Sequence, residues 1–114
     1  MIVEERVYRT KPGKAADYIK GYEQEGLAIQ RPILGNLVGY YSTEIGPLNL
    51  VVHLWAYEDM ADRAKRRAQL GADARWKAYL PKVTPFLEEQ ENRILNPAPF
   101  FEPILRAMLA AAPR

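Results

Sequence analysis

The 114-residue sequence predicts an α+β domain of the ferredoxin-like type, and three observations carry that prediction. Two β-prone runs flank a Gly46-Pro47 turn between residues 35 and 57, which sets a hairpin in the middle of the chain. An amphipathic helical pattern precedes the hairpin and another follows it. A further extended run lies outside each helix. The resulting βαββαβ order is the split βαβ pattern. Right-handed crossovers then place both helices on one face of a four-stranded antiparallel sheet.

The first strand spans Ile2 to Thr10, with Val3, Glu5, Val7 and Arg9 on one face and Glu4, Arg6 and Tyr8 on the other. Lys11-Pro12-Gly13 breaks it, and Pro12 sits where a first helical turn tolerates proline. Ala15, Tyr18, Ile19, Tyr22, Gly26 and Ile29 recur at helical spacing, so a helix runs to about Gln30, ended at the latest by Pro32. The hairpin strands cover roughly 34–43 and 48–57. Asp59 is a plausible N-cap for the second helix, with Asp62 three residues on. That helix is expected to break at Gly71 and resume in a short piece carrying Trp76, Tyr79 and Leu80, with Pro81 and Pro85 bounding a connection. Residues 86–95 read as the fourth strand, and 96–103 as an extended tail. Ile104, Leu105, Met108, Leu109 and Ala112 then form a short apolar helical stripe.

At this length the chain is one domain able to bury about two thirds of its unfolded surface. It contains no cysteine, which excludes disulfide scaffolds, thiolate metal sites and cysteine nucleophiles. No apolar run approaches a spanning helix, and the N-terminus opens with Glu4 and Glu5, so a cytoplasmic, soluble protein without membrane association is expected. A net charge of +2 gives no reason to expect nucleic acid as a partner.

On the third strand Leu50, Val52, Leu54 and Ala56 form a purely apolar face, expected to lie under the helices. Val51, His53, Trp55 and Tyr57 form the other face. Left in water, that face would be a large aromatic patch, which a second copy packed sheet against sheet would cover.

Several words of the sequence then resemble the NIPSNAP family, a branch of the dimeric α+β barrel superfamily. They are Glu4-Glu5-Arg6-Val7-Tyr8, Lys11-Pro12-Gly13-Lys14, the hairpin at 35–57, and Arg93-Ile94-Leu95-Asn96-Pro97-Ala98-Pro99-Phe100. The resemblance covers residues 1–101 and leaves 102–114 as a C-terminal tail. It implies homodimers with a barrel between subunits. The superfamily includes cofactor-free monooxygenases, haem-degrading enzymes and chlorite dismutases, an analogy of fold that names no single reaction.

His53, the only histidine, is the first candidate for catalysis, as an acid/base or as a donor that orients a ligand on the barrel-facing side. The competing reading is a histidine satisfied within a dimer interface. Glu4, Arg6 and Tyr8 share one face of the neighbouring strand, where Arg6 could hold an anion and Glu4 act as a base. A structural ion pair capped by tyrosine explains them equally well. Tyr8, Trp55, Tyr57 and Gln90 are the candidate ligand-binding residues, and Asn92 could join either arrangement. The basic run Arg63, Lys65, Arg66, Arg67, Arg75 and Lys77 has no accompanying nucleic-acid motif and reads as a solvated helix face. Trp76 and Tyr79 read as packing. One histidine without cysteine offers no metal shell, so neither metal nor cofactor is expected, although a lone histidine could ligate haem.

These readings point to a homodimer binding a small, partly apolar or aromatic molecule in a barrel cavity. Cofactor-independent oxygenase or isomerase-type chemistry at His53, Arg6 and Glu4 is one outcome. A non-catalytic interaction or scaffold module and a haem binder are the alternatives.

Overall fold

In the computed structural model, which describes residues 1–113, the sheet runs β2-β3-β1-β4 with every neighbouring pair antiparallel. Its strands are β1 (Ile2–Thr10), β2 (Asn36–Ser42), β3 (Leu50–Tyr57) and β4 (Leu87–Leu95). The first crossover contains α1 (Ala15–Gly21), a π-helical turn (Tyr22–Gly26) and α2 (Leu27–Leu34). The second contains α3 (Met60–Ala72), α4 (Ala74–Val83) and a 3-10 turn (Thr84–Phe86), and α5 (Glu102–Ala111) follows the sheet. The predicted βαββαβ fold is therefore present.

The first helical stretch runs past the predicted stop. Pro32 lies inside α2 on its exposed side, so the backbone carbonyl it leaves without a partner can be hydrated. Gly35 ends α2 instead, with φ of 91° and its N–H on the Arg31 carbonyl at 2.8 Å. In the π turn, a Cβ on Gly26 would come within 2.7 Å of the Tyr79 ring, so glycine lets α4 seat against this turn. The second crossover starts as predicted: the Asp59 side chain accepts from the Asp62 N–H at 2.7 Å. Its break falls at Asp73 rather than Gly71, because Asp73 caps α4 through the Arg75 and Trp76 N–H groups. Pro81 lies within α4, which extends to Val83.

The two faces of β3 are the reverse of the expectation. Val51, His53, Trp55 and Tyr57 face the helices and are almost fully buried, whereas Leu50, Val52 and Leu54 are half-buried on the open face. The helix layer explains the inversion. It presents Tyr18, Tyr22 and Tyr79 together with aliphatic Ile29, Ile33, Leu34 and Leu70, and these enclose the aromatic face of β3 in one cluster. Trp55, Tyr8 and Tyr22 find hydrogen-bond partners there, while plain aliphatic side chains lose little when left half-covered.

α5 lies on the opposite face from α1 to α4. Leu105, 2% exposed, packs on Val3 and Ala56, with Leu109, Val38 and Leu54 around it. The N-terminal ammonium pairs with Glu102 at 3.2 Å, and Arg106 grips Glu58 through two bonds of 3.0 and 3.1 Å. The segment after 101 is thus packed on the domain, although Ile104 and Met108 remain exposed. Beyond α5, the open face keeps a hollow of about 530 Å³ lined by Val7, Leu50, Pro47, Arg9 and the acidic residues Glu89 and Glu91. Among the described residues no helix is long and apolar enough to cross a membrane.

Candidate functional site

The pairing of β1 with β3 sets Arg6 opposite His53 and Glu4 opposite Trp55, and β1 with β4 sets Tyr8 opposite Gln90. All of these residues except Gln90 and Arg6 are buried beneath the helices, not in a dimer-facing barrel. That corrects the side on which the site was expected, and follows from the inverted faces of β3.

His53 is 1% exposed. Its ring stacks on Tyr40 with centroids 4.8 Å apart and meets the edge of Tyr8 at the same distance. The Trp55 indole donates its Nε1–H to His53 Nδ1 at 2.8 Å. An indole nitrogen can only donate, so Nδ1 must offer its lone pair and the proton resides on Nε2. That Nε2–H is buried and has no hydrogen-bond partner among the described residues. Burial, then the positive charges of Arg6 and Arg67, push the imidazolium pKa down to about 3, with Glu4 opposing more weakly. At neutral pH His53 is therefore an uncharged hydrogen-bond donor with a fixed tautomer.

The imidazole borders a cavity of about 40 Å³, room for a water molecule or two, lined also by Tyr8, Tyr18, Gln30, Tyr40 and Gln90. Trp76, Leu80 and Val83 of α4 close it on the helix side. Gln90 and Thr84 are exposed and mark its mouth. Tyr22, stacked on Tyr40 at 4.6 Å, donates its hydroxyl to the Gln30 side chain at 2.6 Å. Burial raises the pKa values of Tyr18, Tyr22 and Tyr40, so these walls stay neutral.

Beside the cavity, Glu4 is fully buried and accepts four side-chain bonds: Arg63 at 2.6 Å, Asn92 at 2.7 Å, and Arg6 and Arg67 at 3.2 Å each. Arg6 also donates its Nε–H to the Tyr8 hydroxyl at 2.9 Å, which links this cluster to the cavity wall. Burial by itself raises the carboxyl pKa. The bonds from Arg63 and Asn92 and the charges of Arg67 and Arg6 outweigh it and bring the value to about 2. The cap at Asp59 fixes where α3 begins and hence its phase, so Arg63 and Arg67, four residues apart, face the sheet together.

Of the residues selected from sequence, His53, Tyr8 and Gln90 meet at the cavity. Glu4 and Arg6 form the adjoining ion cluster, and Trp55 holds the imidazole from behind. Tyr57 is buried two residue pairs beyond Glu4, opposite Ile2 and away from the cavity lining. Tyr18, Gln30 and Tyr40 were not singled out. Tyr18 recurs at helical spacing and so reads as packing, Tyr40 lies within the alternation of a hairpin strand, and Gln30 carries no motif of its own. The basic run is only partly a solvated face: Arg63 and Arg67 turn inward, and Arg66 bonds the Ile33 carbonyl at 3.1 Å. Lys65, Arg75 and Lys77 are exposed.

Haem does not fit these residues. Iron needs an imidazole lone pair, and on His53 one nitrogen is held by Trp55 while the other carries the proton. The cavity is also far too small for a porphyrin.

Residues 3–102 match the NIPSNAP family model. The protein NipSnap homolog of Dictyostelium discoideum is 33% identical over 98 residues, covering 82% of this chain and 41% of that protein. Protein NipSnap homolog 3A of Homo sapiens is 32% identical over 99 residues, covering 85% and 39%. The chain thus spans about two fifths of the length of these curated relatives. A crystal structure of a NIPSNAP family protein from Agrobacterium tumefaciens superimposes with a TM-score of 0.84 at 52% identity, covering 87% of this chain and 94% of that one. A NIPSNAP-like domain protein from Burkholderia xenovorans gives 0.85 at 53%, covering 87% and 86%. An antibiotic biosynthesis monooxygenase structure, at 12% identity and a TM-score of 0.59 over 87% of this chain and 100% of that one, shares the fold alone. Family match, relatives and structures agree with the βαββαβ architecture, and the chain belongs to the NIPSNAP family.

Proposed function

We propose that this protein is a homodimer that binds a small, flat, partly aromatic molecule carrying an oxygen acceptor in the Tyr8–His53–Gln90 cavity. The observation that carries the reading is the buried, unpartnered Nε2–H of His53 in a wall of tyrosines. A buried donor without a partner costs about 1–3 kcal/mol, which an acceptor on the ligand would recover. Tyr8 and Tyr40 supply ring surfaces for stacking, and Gln90 sits at the mouth. Three guanidiniums against one carboxylate make the neighbourhood cationic, which favours an enol or phenol oxygen with anionic character. A single-ring ligand needs more room than the present cavity of about 40 Å³, and the exposed Gln90 and the half-buried Trp76 are the side chains whose displacement would supply it. The half-buried Val7, Leu50 and Val52 on the open face support sheet-to-sheet dimerisation.

An oxygenase- or isomerase-type step would use the same donor to hold an enolate oxygen, in the manner of a neutral imidazole electrophile. Neither His53, with its pKa near 3, nor the four-fold bonded Glu4 suits the abstraction of a proton at neutral pH. The substrate must therefore arrive ionised. The smallness of the cavity, about 40 Å³, supports the second reading, a scaffold module with a structural interior.

A saturation-transfer NMR screen of single-ring phenols and enols decides between them. Binding is expected with the native protein and lost in His53→Phe, which keeps the ring but not the donor, while the dimer mass by light scattering is unchanged. An empty screen, or binders indifferent to the substitution, would favour the scaffold.

A further inference from the structure

A second cavity lies at the β2 edge of the sheet, between the helical layer and α5 on the opposite face, and shares no lining residue with the His53 cavity. It is a groove of about 410 Å³ between α2, the start of β2 and the C-terminal end of α5. We infer that this groove binds a medium-chain carboxylate, its alkyl chain lying among Leu27, Ala28, Pro32, Leu37 and Leu109 and its head group on Arg31.

The size falls within the range of small-molecule sites, and the mix of an apolar lining with one cationic side chain is what an amphipathic anion requires. Among the described residues, two charged ones border the groove. Glu23 is exposed at the rim, whereas Arg31 is partly buried. Among the described residues Arg31 has no carboxylate partner. Its Nη2–H donates to the backbone carbonyl of Pro113 instead. That carbonyl marks where an acceptor oxygen sits, and a charged carboxylate makes the stronger bond to guanidinium. A ligand head group would thus displace the chain's own C-terminal segment from Arg31. The negative end of α2 offers little opposition, because Arg66 covers the Ile33 carbonyl. Leu109, Ala112 and Pro113 belong to the segment beyond the family-matched residues 3–102, so this wall of the groove lies outside the family match.

The test is calorimetric and NMR titration of the full chain with decanoate below its micelle threshold, with decanol as the uncharged comparator. Saturable one-to-one binding of decanoate is expected, with amide shifts at Leu27, Leu37 and Leu109 and none at Tyr8 or His53. Arg31→Gln should weaken decanoate roughly tenfold, as loss of a charge-assisted bond does, and leave decanol unchanged. Titration without saturation, equal affinity of the Arg31→Gln protein, decanol binding as tightly as decanoate, or shifts centred on the His53 cavity would each overturn the inference.

Discussion

The covered and open faces of the sheet draw on the same strands but solve different problems. Under the helices sit Glu4, Tyr8, His53, Trp55 and Tyr57, a set that hydropathy alone would send to the surface. On the open face sit Val7, Leu50, Val52 and Leu54, the residues hydropathy would bury first. The difference teaches that burial here is decided by complementarity rather than by apolar content. Each aromatic ring can remove 150–250 Å² or so from water, more than a valine can, provided its polar tip is met. Trp55 meets His53, Tyr22 meets Gln30, and Tyr8 meets Arg6, so at these three contacts the covered face keeps the area without the desolvation penalty. His53 Nε2 and the Tyr57 and Tyr79 hydroxyls, by contrast, are buried without partners among the described residues. The open face, ringed by pairs such as Glu5 with Arg93 at 2.9 Å, is bounded by charge and suited to contact between subunits.

The sharpest way to break this comparison is to place the same charge on both faces. Trp55→Asp should abolish the fold, because losing a buried tryptophan and burying an unpaired carboxylate together cost roughly 5 kcal/mol or more, comparable with the whole stability of a small domain. Val52→Asp should leave the circular dichroism spectrum and thermal transition of the subunit nearly unchanged while lowering the assembly mass in light scattering. If both variants unfold alike, the open face is core and the distinction fails.

A smaller effect is expected within the covered face. Glu4→Gln removes the carboxylate that pairs with Arg6, Arg63 and Arg67 and should destabilise by about 3–5 kcal/mol in urea unfolding. Stability equal to the native protein would show that the guanidiniums are hydrated rather than held by the carboxylate.

The smallest effect is read from pH. The folded His53 pKa, about 3, lies below its ordinary value of 6.5, so the unfolded chain binds the extra proton between those values. Stability is complete above pH 6.5 and falls as pH drops, by roughly 2–3 kcal/mol on reaching pH 4.5. Below 4.5, Glu4 adds its own loss, down to about pH 2. His53→Phe should flatten the slope between pH 6.5 and 4.5 and leave the Glu4 portion intact. An unchanged slope would assign it to other groups.

Much of the fold was legible because period and order are local properties. The alternation at residues 2–10, the Gly46-Pro47 turn and the Asp59 cap each follow from neighbours in sequence, and strand order then brings Glu4 and Arg6 beside His53. The direction in which β3 faces was not legible, since both of its faces are apolar enough to be buried and the helix layer decides between them. The tautomer of His53 depends on the indole two residues away, and the inward turn of Arg63 and Arg67 depends on a carboxylate about 60 positions distant. Pro32 and Pro81 misled because a proline ring on the wet side of a helix removes a bond that water replaces.

The π turn at Tyr22–Gly26 has a consequence for alignment. An α-helix turns about 100° per residue, and a π turn absorbs one residue more than an α turn does. Tyr18 upstream and Ile29 downstream lie in the same buried cluster, on either side of that surplus residue. A relative lacking the turn would be one residue shorter there with the same core. Its single gap belongs inside this helix, at residues 22–26, and not in a loop, where gaps are ordinarily assigned.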